Sequence, residues 1–214
     1  EKADEIARRA LTLLREEPGV LPLRRDARVV ILTISDFDEV ANPLPAFARE
    51  VNSRLARRAP VFMLDSRSWL EEVQPVVDAA RDAGVVLLAM AVRARSGAGR
   101  IALPESARNA IAQFPPGVKL IGVSFGSPYI IRELPSLQTY FAAYGIQPVM
   151  QQAAARAIFG EAAVSGKLPV TIPGLHGRGE GRVIPSREDG EESPAYGPDA
   201  VDRRGIPRAL RRSE

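Results

Sequence analysis

Four groups of residues in this chain have the types and spacing for chemistry. The first is acidic: Asp36, Asp38 and Glu39 follow directly on an apolar run. Carboxylates so placed either perform acid/base work and accept hydrogen bonds from sugar hydroxyls, or cap a turn before a helix. The second is Arg93-Ala94-Arg95-Ser96-Gly97-Ala98-Gly99-Arg100. It stands between an apolar run and a helical pattern, as a phosphate cradle does, but it lacks the G-x-G-x-x-G spacing and the lysine-hydroxyl pair. It therefore reads as a Gly-rich surface loop, with Arg93, Arg95 or Arg100 open to an anion or a substrate. The third is Ser124-Phe125-Gly126-Ser127-Pro128-Tyr129. No G-x-S-x-G elbow surrounds either serine, so this loop reads as structural or as a non-covalent contact. The fourth is His176, the single histidine of the chain. With no cysteine and one histidine, a thiolate nucleophile, a disulfide and a His-rich zinc site are all excluded. No metal and no cofactor is expected.

The elements that must position these groups alternate along the chain. An amphipathic helix is expected at the start, with Ile6, Ala7, Ala10, Leu11 and Leu14 on one side. Pro18-Gly19 breaks it. Arg28 to Ile34 is a continuous β-branched run, the mark of a strand buried on both faces. Phe47, Val51 and Leu55 share a helical face beginning near Leu44. Val61 to Leu64 is a second strand, and Trp69, Val73, Val76, Val77 and Ala80 lie along a helix closed by Gly84. Val85 to Val92 is a third strand, Pro104 opens a helix through Phe114, and Val118 to Phe125 is a fourth strand. Thr139 to Ala143 is a fifth, and Val149 to Phe159 a last helix ending at Gly160.

Strand and helix alternating at short spacing imply right-handed crossovers. The expected fold is α/β: a three-layer α/β/α sandwich with a mostly parallel, flavodoxin-like sheet. Ligands of such sheets bind beyond the carboxyl ends of the strands. The loops 35–42, 65–68, 93–100 and 126–131 fall there, and they carry three of the four groups above.

The chain has 214 residues, 45% of them hydrophobic, enough for one sizeable core. No apolar run approaches the ~18 residues of a membrane span, and the net charge of +3 describes a mixed, solvated surface rather than a nucleic-acid footprint. Residues 176–214 hold few large apolar side chains and balance eight Arg against eight Asp and Glu. They are expected to form a polar Gly/Pro/Arg-rich tail or linker behind a domain of residues 1–175.

Two motifs at the domain's end carry a resemblance. Ala153-Ala154-Ala155-Arg156-Ala157-Ile158-Phe159-Gly160 precedes Ser165-Gly166-Lys167-Leu168-Pro169-Val170-Thr171-Ile172-Pro173. This resembles the segment that closes the C-terminal domain of family 3 glycoside hydrolases, where an alanine-rich helix ends in Phe-Gly before a Gly-Lys-Leu-Pro-Val-Thr strand. Phe125-Gly126-Ser127-Pro128-Tyr129 is similar to that family's Phe-Gly-Asn-Pro-Tyr loop, with Ser for Asn. Gly19-Val20-Leu21-Pro22-Leu23 looks like the family's entry into the same domain.

Within the family the chain looks most like the β-N-acetylhexosaminidase branch. The resemblance implies a retaining hydrolase of O-glycosidic bonds, whose nucleophilic Asp and acid/base His lie on an N-terminal (β/α)8 barrel. Nothing here matches the barrel's histidine loop, and the chain has no room for a barrel of about 250 residues. The chain is thus expected to be an accessory domain, inactive alone, contributing no catalytic residue and touching carbohydrate through Asp36, Arg93 and Tyr129. A periplasmic or secreted location follows from the family's usual substrates. A free-standing module that binds carbohydrate or peptidoglycan fragments is the alternative.

Overall fold

The computed structural model describes residues 2–36, 42–93 and 101–186. In chain order these form α1 (Lys2–Ala10), β1 (Thr12–Arg15), β2 (Val29–Ser35), α2 (Pro45–Asn52), β3 (Val61–Leu64) and α3 (Leu70–Arg81). There follow β4 (Val85–Ala91), α4 (Glu105–Ala112), β5 (Lys119–Ser124), a 3₁₀ segment (Pro128–Glu133), β6 (Thr139–Ala142) and α5 (Pro148–Ile158).

The six strands form one sheet in the order β1-β6-β5-β4-β2-β3. All neighbours are parallel except β1, which runs antiparallel to β6. The five parallel strands follow the flavodoxin-like order, and β1 adds an antiparallel edge. The order reverses at β2, which pairs with both β3 and β4. Every residue of β2 and of β4 is buried, which is why both read as unbroken apolar runs.

Two cores lie on the two faces of the sheet. Val29, Ile31, Leu87, Ala89, Ile121 and Phe141 meet Phe47 and Val51 of α2 and the alanine-rich face of α5. Val30, Leu32, Leu88, Met90, Leu120 and Tyr140 meet Val73, Val76 and Val77 of α3 and Ala107 and Ala110 of α4. Alternate residues of each strand thus feed opposite cores, as the pleat requires, and each fully buried Leu or Ile contributes about 2 kcal/mol by transfer. Phe47 and Phe125 meet edge to face, with ring centroids 5.3 Å apart.

Three details differ from the sequence reading. Leu11 and Leu14 do not extend the first helix, which stops at Ala10. Residues 12–15 form an edge strand, and Leu13 and Leu14 point into opposite cores. Pairing with β6 outweighs a helical spacing that is too short to be decisive. Gly84 is not a left-handed cap. Its amide donates to the Arg28 carbonyl at 2.9 Å and leads the chain into β4. Trp69 leaves the buried stripe of α3 and stands 78% exposed just before its first turn.

Gly160 closes α5 as expected. Its φ is 72°, its amide donates to Ala157 O at 3.0 Å, and that of Glu161 donates to Arg156 O at 2.8 Å. This is a Schellman closure, which favours Gly at the left-handed position.

Residues 176–186 hydrogen-bond to the body of the fold. Arg182 N donates to Leu13 O at 2.9 Å, and Ile184 and Val164 exchange amide bonds of 2.9 and 3.0 Å. The domain boundary expected after residue 175 therefore falls within a segment whose backbone continues to pair. Residues 187–214 lie outside the described residues.

Candidate functional site

The carboxyl ends of β2, β4 and β5 are stitched together where the strand order reverses. Asp36 N donates to Ala91 O at 3.3 Å, Phe125 N to Met90 O at 2.7 Å, and Ser127 N to Val92 O at 2.9 Å. Asp36 is 8% exposed. Its Oδ2 accepts a 3.1 Å hydrogen bond from the amide of Arg93. The acidic residue at the end of one strand and the basic residue at the end of its neighbour are thereby brought together at the crevice where ligands of such sheets sit.

Gly126 makes the third side of this corner. A Cβ there would collide with the carbonyl oxygen of Val92 and lie 2.9 Å from its carbonyl carbon. Close approach of two backbones, not a left-handed turn, requires glycine here. Ser127 caps the 3₁₀ segment: its Oγ accepts from Tyr129 N at 3.4 Å. The Tyr129 ring is half-buried against the core formed with α3 and α4. Tyr140 fixes the same loop from below, its hydroxyl donating to Pro128 O at 3.0 Å. Full burial pushes the Tyr140 hydroxyl far above the usual phenol range, so it stays protonated as that donor.

Neither serine of the loop is set up as a nucleophile. Ser124 is fully buried, and its hydroxyl donates to Ser127 O at 2.8 Å. His176 is engaged elsewhere: its Nδ1 lies 2.9 Å from Glu180 Oε2, while Gly177 N donates to Glu180 Oε1 at 2.7 Å. Those two bonds hold the Glu180 carboxyl below the usual range. Among the described residues no group of three or more His, Cys, Asp or Glu is placed to hold a metal ion, and no helix is long and apolar enough to cross a membrane. Asp38, Glu39, Arg95 and Arg100 lie outside the described residues.

The loop after β3 adds features that sequence spacing did not single out. Asp65 accepts from Arg67 N at 2.8 Å and from Arg67 Nη2 at 2.9 Å, and Ser106 Oγ donates to Asp65 O at 2.7 Å. Beyond it Trp69 and Leu70 stand 78% and 73% exposed. An indole this open offers a flat apolar face for stacking, and Trp69 follows the carboxyl end of β3 as Asp36 follows that of β2. The signal available from sequence was position alone: Trp69 ends a strand-end loop.

Burial opposes the charge of Asp65, but the hydrogen bonds from Arg67 and from the Ser68 backbone outweigh it, and the carboxyl is held below its usual range. The unfolded value is about 3.9. Asp65 therefore stabilises the fold above roughly pH 4, and this contribution disappears as pH falls through the lower folded value. Asp65→Asn should lose less thermal stability than the unaltered chain between about pH 5 and pH 3. Parallel losses in the two proteins would show that Asp65 does not contribute this way.

The strand order and the two cores define a doubly wound α/β domain with a flavodoxin-like strand order. It is similar to parts of several glycosidases. Over 182 residues the chain is 26% identical to a β-N-acetylglucosaminidase/β-glucosidase of Cellulomonas fimi, covering 78% of this chain and 31% of that protein. In fold it is similar to a family 3 β-N-acetylglucosaminidase from Paenibacillus sp. str. FPU-7, with a TM-score of 0.65, 23% identity, and coverage of 79% of this chain and 32% of that one. A β-glucosidase from Listeria innocua gives a TM-score of 0.62 at 18% identity, over 78% of this chain and 25% of the other. No family model matches the chain. The resemblance to the C-terminal α/β domain of family 3 glycoside hydrolases thus holds in sequence and in fold. The chain spans about a third of the length of the curated relative it matches.

Proposed function

We propose that this chain is the accessory α/β domain of a retaining, β-N-acetylglucosaminidase-like glycoside hydrolase, whose catalytic groups lie on a (β/α)8 barrel outside these residues. The observation that carries the reading is the Asp36–Arg93 contact at the strand-order reversal, within a domain whose relatives are family 3 enzymes. Asp36 has one carboxylate oxygen committed to a backbone amide, so it serves as a fixed acceptor for sugar hydroxyls better than as a mobile base. Arg93 and the Tyr129 loop would add donors and an edge to the same roof. Hydrolysis itself would then depend on the barrel, with this domain orienting the sugar and limiting water access.

The test uses the isolated chain. It should not hydrolyse p-nitrophenyl-N-acetylglucosaminide, while N-acetylglucosamine should shift the amide resonances of Asp36, Arg93 and Ser127. Turnover by the isolated chain that Asp36→Ala destroys would overturn the reading. Tight saturable binding of muropeptides without any partner domain would favour a free-standing binding module instead.

A further inference from the structure

The opposite end of the sheet carries a second, basic surface. Arg28 precedes β2, and Arg57 and Arg58 precede β3, so all three stand at the amino ends of adjacent strands. They are exposed. Two adjoining clefts share Ala27, Arg28 and Arg57, and the larger set of walls adds Arg58, Pro60 and Asp82.

The other arginines nearby, the exposed Arg24 and Arg25 and the half-buried Arg54, are committed. Arg24 pairs with Asp26 at 2.6 Å, Arg25 with Glu161 at 2.9 Å, and Arg54 with both Glu50 and Glu161 at 2.8 and 2.7 Å. Arg28, Arg57 and Arg58 have no side-chain hydrogen bond or ion pair among the described residues, and neither has Asp82. Three guanidinium groups therefore face two clefts against one uncommitted carboxylate. Like charges that outnumber their counter-charges repel one another, and an anionic partner relieves that repulsion.

We propose that this amino-end rim binds a linear carboxylate-bearing polysaccharide along the Arg28–Arg57–Arg58 clefts. Guanidinium forks match carboxylates in two-bond geometry. The walls contain no aromatic side chain on which a nucleobase could stack. Of the large exposed apolar residues, Trp69, Leu70, Ile6, Leu175 and Val183 line neither cleft, and Val61, 40% exposed at the start of β3 beside Pro60, is not among their walls either. A protein hot spot or a membrane surface would need such anchors, whereas a charged, hydroxyl-rich chain needs none. β2 has seven residues, which separates this rim from Asp36 by roughly 23 Å at ~3.3 Å per residue. The two ends can therefore be occupied independently.

The experiment measures binding of the full chain to polygalacturonate by calorimetry at low ionic strength, in about 20 mM salt, where screening is weak. R28Q/R57Q/R58Q should weaken binding at least about tenfold with an unchanged melting temperature, since none of the three side chains holds the fold together. Saturating N-acetylglucosamine should leave this binding unaltered, which separates the proposal from the carboxyl-end reading. A charge-matched control, R9Q/R81Q/R132Q, should lose much less. Equal losses in the two triple variants, no binding of polygalacturonate, or tighter binding of single-stranded DNA, polyglutamate or anionic vesicles through the same arginines would each overturn it.

Discussion

Replacing Gly126 by alanine should lower the melting temperature by about 10 °C and part the carboxyl ends of β4 and β5. The alanine methyl would overlap the carbonyl of Val92 and come within 2.9 Å of its carbon and 3.1 Å of its nitrogen. Both colliding groups are backbone, so no rotamer change relieves the overlap. The ends of β4 and β5 must separate, which breaks the 2.9 Å bond from Ser127 N to Val92 O. Overpacking of this kind costs about 1–3 kcal/mol, and the lost hydrogen bond adds about 1. At 2–4 °C per kcal/mol for a domain of this size, the shift follows. Gly145→Ala is the matched control. There the added methyl meets only the end of the Gln147 side chain, which can swing away, and the change should stay within about 1 kcal/mol. A Gly126→Ala protein that melts with the unaltered chain would show that the three strand ends are not held this closely.

Gly126 also illustrates what the sequence could and could not disclose. Its presence after an apolar strand marked a tight feature, but the reason lies in a contact with Val92, 34 positions away in the chain, which no local pattern encodes. The strands themselves were legible because burial on both faces leaves no polar residue inside β2 or β4 apart from Thr33 and Ser35. The helices α2, α3 and α5 were legible from spacing, and α5 from its glycine stop.

Edges were harder. In β1, four residues cannot display a period of two against a preceding helix whose spacing runs straight on through Leu14. Trp69 shares the helical spacing of Val73, Val76 and Val77, but its exposure is set by where the first turn of α3 begins. Residues 176–186 dock through backbone bonds, and a composition count of large apolar side chains does not register these.

The candidate site was partly legible for the same reason. Asp36 and Arg93 were singled out because each ends a buried strand. That they touch depends on β2 and β4 being neighbours, and the sheet order came from the structure. The amino-end arginines were invisible as a group: Arg28 and Arg57 are separated in sequence by a whole crossover, and only parallel pairing of β2 with β3 places them on one rim.

Gln151 tests how firmly the entry into α2 is anchored. It is 1% exposed within α5. Its Oε1 accepts from Phe47 N at 2.9 Å, and its Nε2 donates to Pro43 O at 3.2 Å and Ile146 O at 2.6 Å. One amide side chain thus satisfies the first turn of α2 and the chain on both sides, a demand that no apolar residue can meet. Gln151→Leu keeps the volume and strands two buried backbone groups and one partly buried one, so it should cost about 4 kcal/mol at 1–3 per group. The loss would appear as a melting temperature lower by roughly 12 °C, with faster amide exchange at Phe47 than in β4. Gln151→Glu keeps the acceptor but sets an anionic oxygen against two carbonyls in a buried site. Its folded pKa must rise above the unfolded value of about 4.3. Below that value the protonated side chain can donate to Ile146 O, and the variant recovers part of its stability; as pH rises through the raised folded value, that recovery is lost. A Glu variant as stable at pH 7 as at about pH 4 would mean that water reaches this corner, and that the entry into α2 is held by something other than Gln151.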